Sequence, residues 1–188
     1  MDVSQIITVV GVLVVVGAIL VWIFMLKQRS KKLHEQFGPE YDRLVHEAKD
    51  RAEAEAELEA RQERVKTFSI HPLSPEEQAR FSEAWRSTQA HFVDDPAEAV
   101  GEADQLVSQA MEARGYPMAD FEQRAADISV SHPQVVTNYR AAHDIAQENE
   151  RGEASTEALR QAMVHYRALF EDLLESREGH MNYKKTVA

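Results

Sequence analysis

The sequence predicts an all-α protein with a single N-terminal transmembrane helix, a long charged helical stalk and a bundle of about five helices. Three observations lead to this prediction. Residues 6–26 contain no charged side chain. Apolar residues elsewhere recur at helical spacing, without the alternation of β-strands. Pro, Gly, Ser and Asp stand where successive helices would begin or end.

The segment 6–26 has the length of a membrane-spanning helix. Its 21 residues would extend about 31 Å at 1.5 Å per residue, which matches the hydrocarbon core of a bilayer. A cleavable signal peptide needs a basic start, a shorter apolar core and small residues at its end. Here the start has no Lys or Arg, and the bulky Trp22, Phe24 and Met25 occupy the end. An anchor is therefore favoured over a signal peptide. It is also favoured over a buried helix of a soluble domain, since nothing else in the chain is apolar enough to surround it.

Basic residues flank this segment on one side only. Residues 1–5 hold no Lys or Arg. The cations on the other side are Lys27, Arg29, Lys31 and Lys32. Positive flanks stay in the cytoplasm, so we expect the N-terminus outside and residues 27–188 inside, with Trp22 at the interface. The basic juxtamembrane segment, 27–36, either contacts anionic headgroups or serves only as a solubility flank, and for so small a cluster the second interpretation is favoured.

Composition narrows the classes of function. The chain carries a net charge of −11, and residues 33–188 alone carry −14. Phosphate contacts require a basic face, so no nucleic-acid partner is expected. The chain has no cysteine, which excludes disulfides, thiolate zinc sites and cysteine nucleophiles.

The segment 41–67 is rich in Ala, Glu and Arg, which are good helix formers, and it predicts one charged stalk helix. Its apolar stripe is thin. The heptad frame through Leu44 and Leu58 also contains Arg51 and Glu55, which argues against a stable coiled coil. We expect a solvated helix whose far end docks onto the following domain.

Residues 72–176 predict the bundle, with start and stop signals around each helix. Ser74-Pro75-Glu76-Glu77 is a capping box with Pro in the first turn. Gly115 and Gly152 are placed to end helices. The expected helices cover about 75–93, 96–114, 118–128, 131–150 and 155–176. The last has the strongest apolar stripe and is expected to be central, and 177–188 follow as a flexible tail.

No residue pattern carries a recognisable reaction. Four histidines lie near helical faces that would allow them to converge: His91, His132, His143 and His165. None has the i,i+4 spacing or the HExxH pattern of a helical metal site. Structural histidines are therefore favoured, and no metal, cofactor or catalytic residue is assigned.

Several polar groups have two interpretations. The segment 149–156 is either a recognition loop or the end and start of two helices, and the capping interpretation is favoured. Four ionisable residues surround Phe121 on the short helix: Asp120, Glu122, Arg124 and Asp127. They serve acid–base chemistry or form a buried ion pair to neighbouring helices, and the ion pair is favoured. Tyr166 lies on the core stripe, so its hydroxyl needs a partner, for which Arg140 or His143 is expected.

Five segments carry a resemblance to a known family: FGPEYDRLV from Phe37, PLSPEEQARF from Pro72, HFVDDP from His91, YPMADFEQRAADISVSHP from Tyr116 and NERGEASTEALRQAMVHYRALFEDLL from Asn149. With them, most of residues 37–174 resembles an uncharacterised bacterial family of small, N-terminally anchored helical proteins. Its members are labelled hypothetical, membrane or secreted proteins. The resemblance implies a bacterial origin and an anchor followed by a helical domain, and it implies no activity, ligand or catalytic residue. The label "secreted" conflicts with the basic flank, which places the domain in the cytoplasm.

Together these features predict a single-pass protein of a bacterial cell membrane. Its expected role is that of a non-enzymatic interaction or scaffold module at the cytoplasmic face, with the lipid bilayer and other proteins as partners. Two alternatives stay open. One is a small ligand-sensing or enzymatic domain with a site lined by His143, Tyr166 and acidic residues, and the other is an envelope protein that faces outside.

Overall fold

The computed structural model describes the backbone of residues 3–175 and, within that range, all side chains except those of 3–10, 12 and 14. This part of the chain folds into eight helices and contains no strand, so the predicted all-α class is confirmed. The chain forms two compact units, Met1–Leu58 and Glu59–Ala188. The predicted tail, 177–188, lies outside the described residues.

The first unit is built on one long helix, α1 (Val3–Phe37). The uncharged segment and the basic segment after it are therefore parts of one continuous helix. α1 ends before Gly38, whose φ of 49° lies in the left-handed region that residues with a Cβ atom avoid. The Gly38 amide donates to the carbonyl of His34 at 2.9 Å, which satisfies one of the last carbonyls of the helix.

The single stalk helix predicted over 41–67 is wrong, because the chain divides there into α2 (Pro39–Glu47) and α3 (Arg51–Lys66). Ala48 adopts an extended conformation with ψ of 159°. Asp50 then caps the new helix, accepting a hydrogen bond from the Glu53 amide at 2.9 Å. Composition does not predict the break, because all residues around it are tolerated in the interior of a helix. Asp50 can also begin a helix, since its side chain can accept a hydrogen bond from a backbone amide of the first turn.

The stalk is also less solvated than predicted. Residues of all three helices of the first unit are buried: Leu33, Phe37, Tyr41, Ala54 and Leu58. Leu33 and Phe37 are four positions apart on α1, so they lie on one face of that helix. The end of α1 therefore has a packed face and an open face.

The second unit contains the five predicted helices. They are α4 (Pro75–His91), α5 (Pro96–Ala113), α6 (Phe121–Ser131), α7 (Val136–Glu150) and α8 (Thr156–Glu175). Two starts differ from the prediction. α6 begins later because Asp120 is its cap, accepting from the Gln123 amide at 2.9 Å. Ser131 ends α6 and does not start α7, which has no side-chain cap.

Most start and stop signals act as predicted. Ser74 and Glu77 form the capping box, with the Glu77 amide donating to Ser74 Oγ at 3.2 Å and the Ser74 amide donating to Glu77 Oε2 at 2.8 Å. Gly115 and Gly152 have φ values of 91° and 72°. Both glycines thus end helices in the left-handed conformation.

The prediction that the last helix is central is confirmed, since α8 packs along both α5 and α7. Its buried side chains are Leu159, Ala162, Met163, Tyr166, Leu169, Phe170 and Leu173. Trp85 of α4 stacks on Phe170 with ring centroids 4.8 Å apart. Tyr139 of α7 meets Tyr166 edge-on at 6.4 Å. Aromatic pairs thus join α8 to two neighbouring helices.

We expect Gly115→Ala to lower the free energy of unfolding of the second unit by about 3 kcal/mol or more, from left-handed strain and a backbone clash. A Cβ atom at this position would lie 2.4 Å from the carbonyl oxygen of Ser69. Gly152→Ala is the matched control, because Gly152 also has positive φ but nothing lies within 4 Å of the added atom. The control should lose only about 1 kcal/mol. Denaturant unfolding followed by circular dichroism measures both, and equal losses would contradict the role of the clash.

Candidate functional site

The longest run of exposed large apolar side chains in the described part of the chain lies on α1. Its large apolar side chains between residues 13 and 26 are 41–65 % exposed. They are Leu13, Val15, Val16, Ile19, Leu20, Val21, Trp22, Ile23, Phe24, Met25 and Leu26. Consecutive positions on a helix point in all directions around its axis, so this segment is apolar on every side. Helices of globular proteins that face water have a polar side, and this segment has none.

Within the described residues, no helix is both long and apolar enough to cross a membrane. Of the predicted span 6–26, the side chains of residues 6–10, 12 and 14 lie outside the described set. The membrane span therefore stays a prediction.

The predicted basic flank residues follow directly on the same helix, and all four of their side chains are exposed. Arg29 lies four positions before the buried Leu33 and Lys27 lies three positions before Ser30, so these two border the packed face of α1 at its two edges. Lys31 and Lys32 lie farther from that face. Trp22 is also exposed, at 63 %. We call Lys27, Lys31 and Lys32 the lysine band.

The packed face of α1 is fixed by a buried carboxylate. Glu55 of α3 is 6 % exposed, and its Oε1 accepts hydrogen bonds from Ser30 Oγ and, at 2.9 Å, from Tyr41 Oη. Burial raises the pKa of Tyr41, and the adjacent Glu55 adds to the shift. A buried carboxylate needs such donors because it has lost its water. Its three residues come from three helices, so no local sequence pattern predicts this cluster.

The four histidines considered for a metal site have separate partners: His91 pairs with Glu102, His132 with Asp172, His143 with Phe121 and His165 with Asn138. His143 stacks face to face on its ring partner, with centroids 3.5 Å apart. Among the residues described, no three His, Cys, Asp or Glu side chains are grouped so as to hold a metal ion. The four histidines therefore have separate contacts and do not converge.

The ion pair predicted for the short helix is present. Asp127 of α6, with a side chain 4 % exposed, pairs with Arg64 of α3 at 2.7 Å. Gln123 also donates to Asp127, at 2.9 Å. The two residues are 63 positions apart in the chain. Their contact joins α3 to α6 and has the geometry of a structural ion pair.

The predicted partners of the Tyr166 hydroxyl are wrong. Tyr166 donates to Asp104 Oδ1 of α5 at 3.0 Å, and neither Arg140 nor His143 is its partner. Arg140 instead pairs with Glu122 at 2.7 Å. Because His143 and Tyr166 bind different neighbours, the structure gives no support to a site that combines them.

Sequence reasoning missed a buried arginine at the end of α5. Arg114 is 2 % exposed, and its Nη1 donates to the Leu173 carbonyl at 3.0 Å and lies 3.4 Å from His132 Nε2. A guanidinium only donates, so His132 Nε2 accepts and His132 Nδ1 carries the proton that bonds Asp172. Burial lowers the pKa of Arg114. The arrangement ties the last turn of α8 to the ends of α5 and α6.

The segment 149–156 has the capping geometry that was favoured for it. Gly152 is left-handed, and Ser155 Oγ accepts from the Ala158 amide at 3.2 Å at the start of α8. Arg151 and Glu153 pair with each other at 2.8 Å on the surface. The polar groups of this segment therefore end one helix and begin the next.

A groove of about 540 Å³ lies between α4 and α8. Trp85, Phe170 and Leu174 form its apolar floor. Its polar lining consists of Gln78, Ser82, Arg86, Gln89, Arg167, Glu171 and Glu175. The indole Nε1 of Trp85 is buried and finds no hydrogen-bond partner in the described part of the chain. An apolar centre with a polar rim is the usual arrangement of an interaction surface.

Comparison with known proteins finds no match for this chain, whether among protein families, curated proteins or solved structures.

We expect the pKa values of Tyr116, Tyr139 and Tyr166 in the folded protein to lie above 10, the usual pKa of tyrosine. Burial raises the pKa of all three, and the charge of Asp104 adds to the shift of Tyr166. The unfolded chain releases these protons first, so the stability that depends on them is complete below pH 10 and falls as the pH rises further.

The measurement is tyrosinate absorbance against pH, with the chain in its native state and in denaturant. Tyr166→Phe is the control, because it should remove one late-titrating group from the native curve. Titration of every tyrosine near pH 10 in a chain whose helical circular dichroism is intact would contradict the burial argument.

Proposed function

We propose that this chain is a single-pass membrane protein that holds an acidic helical bundle at the cytoplasmic face of a bacterial membrane, where the bundle binds other proteins. The anchor is the helix 6–26, and the bundle is built by α4 to α8. The observation that carries the proposal is the run of exposed apolar side chains on every side of α1 between residues 13 and 26.

Two physical reasons support the anchor. Large apolar surfaces exposed to water are unfavourable by about 25 cal/mol per Å², so a segment that is apolar all round requires an apolar surrounding. The backbone of a helix already satisfies its own hydrogen bonds, so lipid can provide that surrounding. The orientation rests on the cations, which follow the apolar segment at Lys27 and are absent before it.

The groove between α4 and α8 supports the interaction role. Trp85, Phe170 and Leu174 line it together with amide, hydroxyl and charged side chains. Tryptophan and arginine are the residues most often found at the energetic centre of protein interfaces. In the described residues the polar clusters outside the groove have the geometry of structural ties, so the groove is the surface that we assign to a partner.

The anchor is tested with the double variant Ile19→Asp/Leu20→Asp in the full-length chain, carrying a topology reporter after Ala188. Two charges within four residues of the midpoint of the span should cost about 5 kcal/mol of insertion free energy, so the variant should leave the membrane fraction. The control is Val93→Asp/Val164→Asp, since these residues are also exposed apolar positions, at 82 % and 50 %, but lie on the second unit. The unchanged chain and the control should stay in carbonate-washed membranes and give reporter activity on the cytoplasmic side.

The reporter separates two failures. Activity on the outer side only would overturn the orientation and make the bundle an envelope domain. An unchanged chain that appears in the supernatant would overturn the anchor itself.

The interaction role is tested by photo-crosslinking in membranes. A photoreactive residue in place of Gln89, on the rim of the groove, should give discrete adducts with other proteins. The same residue in place of Glu148, exposed on α7, should not. Adding Arg86→Glu and Arg167→Glu should remove the Gln89 adducts, because both arginines line the groove. Identical adducts from both positions, or none from Gln89, would contradict the assignment of the groove.

A further inference from the structure

The lysine band occupies a restricted part of α1. Residues 3–34 contain four Lys or Arg side chains and no carboxylate, and the first carboxylate after them is Glu35. Lys31 lies 3.6 Å from Glu35, but both side chains are mostly exposed, at 77 % and 65 %. A surface pair of this kind contributes little, so the band retains its positive charge.

The packing of α1 determines where the band points. Ser30, Leu33 and Phe37 lie on the packed face, with Ser30 held by Glu55. Successive residues of a helix are rotated by about 100°, which places Lys31 and Lys32 away from the packed face and Lys27 at its edge beside Ser30. All three lysine side chains are exposed, so their ammonium groups are open to the surroundings of α1.

The depth of the band matches one interfacial layer of a bilayer. From Lys27 to Lys32 the helix rises about 7.5 Å. The headgroup region on each side of a hydrocarbon core is roughly 5–7 Å thick. With the apolar segment in the core, the band lies at the level of the phosphates, and Trp22 lies just inside it.

We propose that Lys27, Lys31 and Lys32 form a binding site for anionic phospholipid headgroups, so that α1 collects such lipids around the cytoplasmic end of the anchor. The recognising chemistry is three primary ammonium groups against phosphate. This proposal rests on the proposed membrane insertion. It adds to that function a preference for one class of lipid, which an apolar helix alone does not have.

Trp22 supplies the probe. The chain has two tryptophans, and Trp85 is buried in the second unit, so acyl-chain bromines report on Trp22. The full chain is placed in vesicles of phosphatidylcholine with a minority of phosphatidylglycerol. In one set of vesicles the phosphatidylglycerol carries the bromine, and in the other an equal amount of the phosphatidylcholine carries it. At equal mole fraction, the brominated anionic lipid should quench Trp22 about twofold more than the brominated neutral lipid, given the attraction of lysines for anionic surfaces.

The triple variant Lys27→Gln/Lys31→Gln/Lys32→Gln should lose this preference and keep its quenching by the neutral lipid. The matched control is Lys66→Gln/Arg151→Gln/Arg160→Gln, which removes the same charge from exposed side chains of the second unit that pair with neighbouring glutamates. The control should keep the preference. Raising the salt concentration from about 0.1 M to 1 M shortens the screening length from about 10 to 3 Å and should weaken it.

The outcomes are separable. Equal quenching by the two lipids in the unchanged chain, or a preference that survives in the triple variant, overturns the lipid site while leaving the anchor intact. Absence of quenching by either lipid overturns the insertion on which it rests. Loss of the preference when inorganic phosphate replaces chloride at constant ionic strength assigns the lysines to free phosphate and overturns the lipid assignment.

Discussion

The burial of one face of α8 is the constraint on which the second unit depends. Seven side chains of this helix are buried, and each large apolar one contributes about 1.5–3 kcal/mol on leaving water. In proteins most of the stability of a helix comes from tertiary packing, so α4, α5 and α7 are stabilised by sharing this face. The contact of Trp85 with Phe170 brings α4 to it, and α5 and α7 pack along its sides. Arg114 adds a donor for the Leu173 carbonyl in the last turn, where a helix has no partner of its own.

Local signals were enough to predict the bundle helices, because a cap or an apolar stripe depends on residues that are close together in the sequence. Ser74, Asp95 and Gly115 mark helix ends in the structure as their residue types predict. Pairings between helices were not predictable in this way. Tyr166 bonds Asp104, 62 positions away, and periodicity shows that Tyr166 faces the core but not which carboxylate lies across from it. The burial of Arg114 was not predictable for the same reason, since the carbonyl that accepts its hydrogen bond belongs to Leu173, which is distant in the sequence.

The predicted anchor flank shows what the fold adds to a sequence argument. In the sequence, Trp22 and four cations stand within one short segment. The sequence alone does not distinguish the four cations from one another. Ser30 and Tyr41 donate hydrogen bonds to Glu55, which fixes one face of α1 against its neighbours. This places Lys27 and Arg29 at the edges of that face and Lys31 and Lys32 away from it. The break at 48–50 was also not predictable from composition, because α3 starts at a cap provided by Asp50 and not at a change in composition.

The apolar segment and the lysine band have different roles in the proposed arrangement, and their magnitudes decide which holds the protein. Leu, Ile, Phe and Val at the centre of a membrane helix contribute about 0.3–0.6 kcal/mol each, so the 15 such residues of the segment 6–26 contribute at most about 5–9 kcal/mol. Lysines near an anionic surface contribute about 1 kcal/mol each. The chain as a whole is acidic, with a net charge of −11, so an anionic surface repels the rest of it. In the proposed arrangement the apolar segment therefore supplies the attachment, whereas the lysines select the side of the membrane and the lipids around the helix.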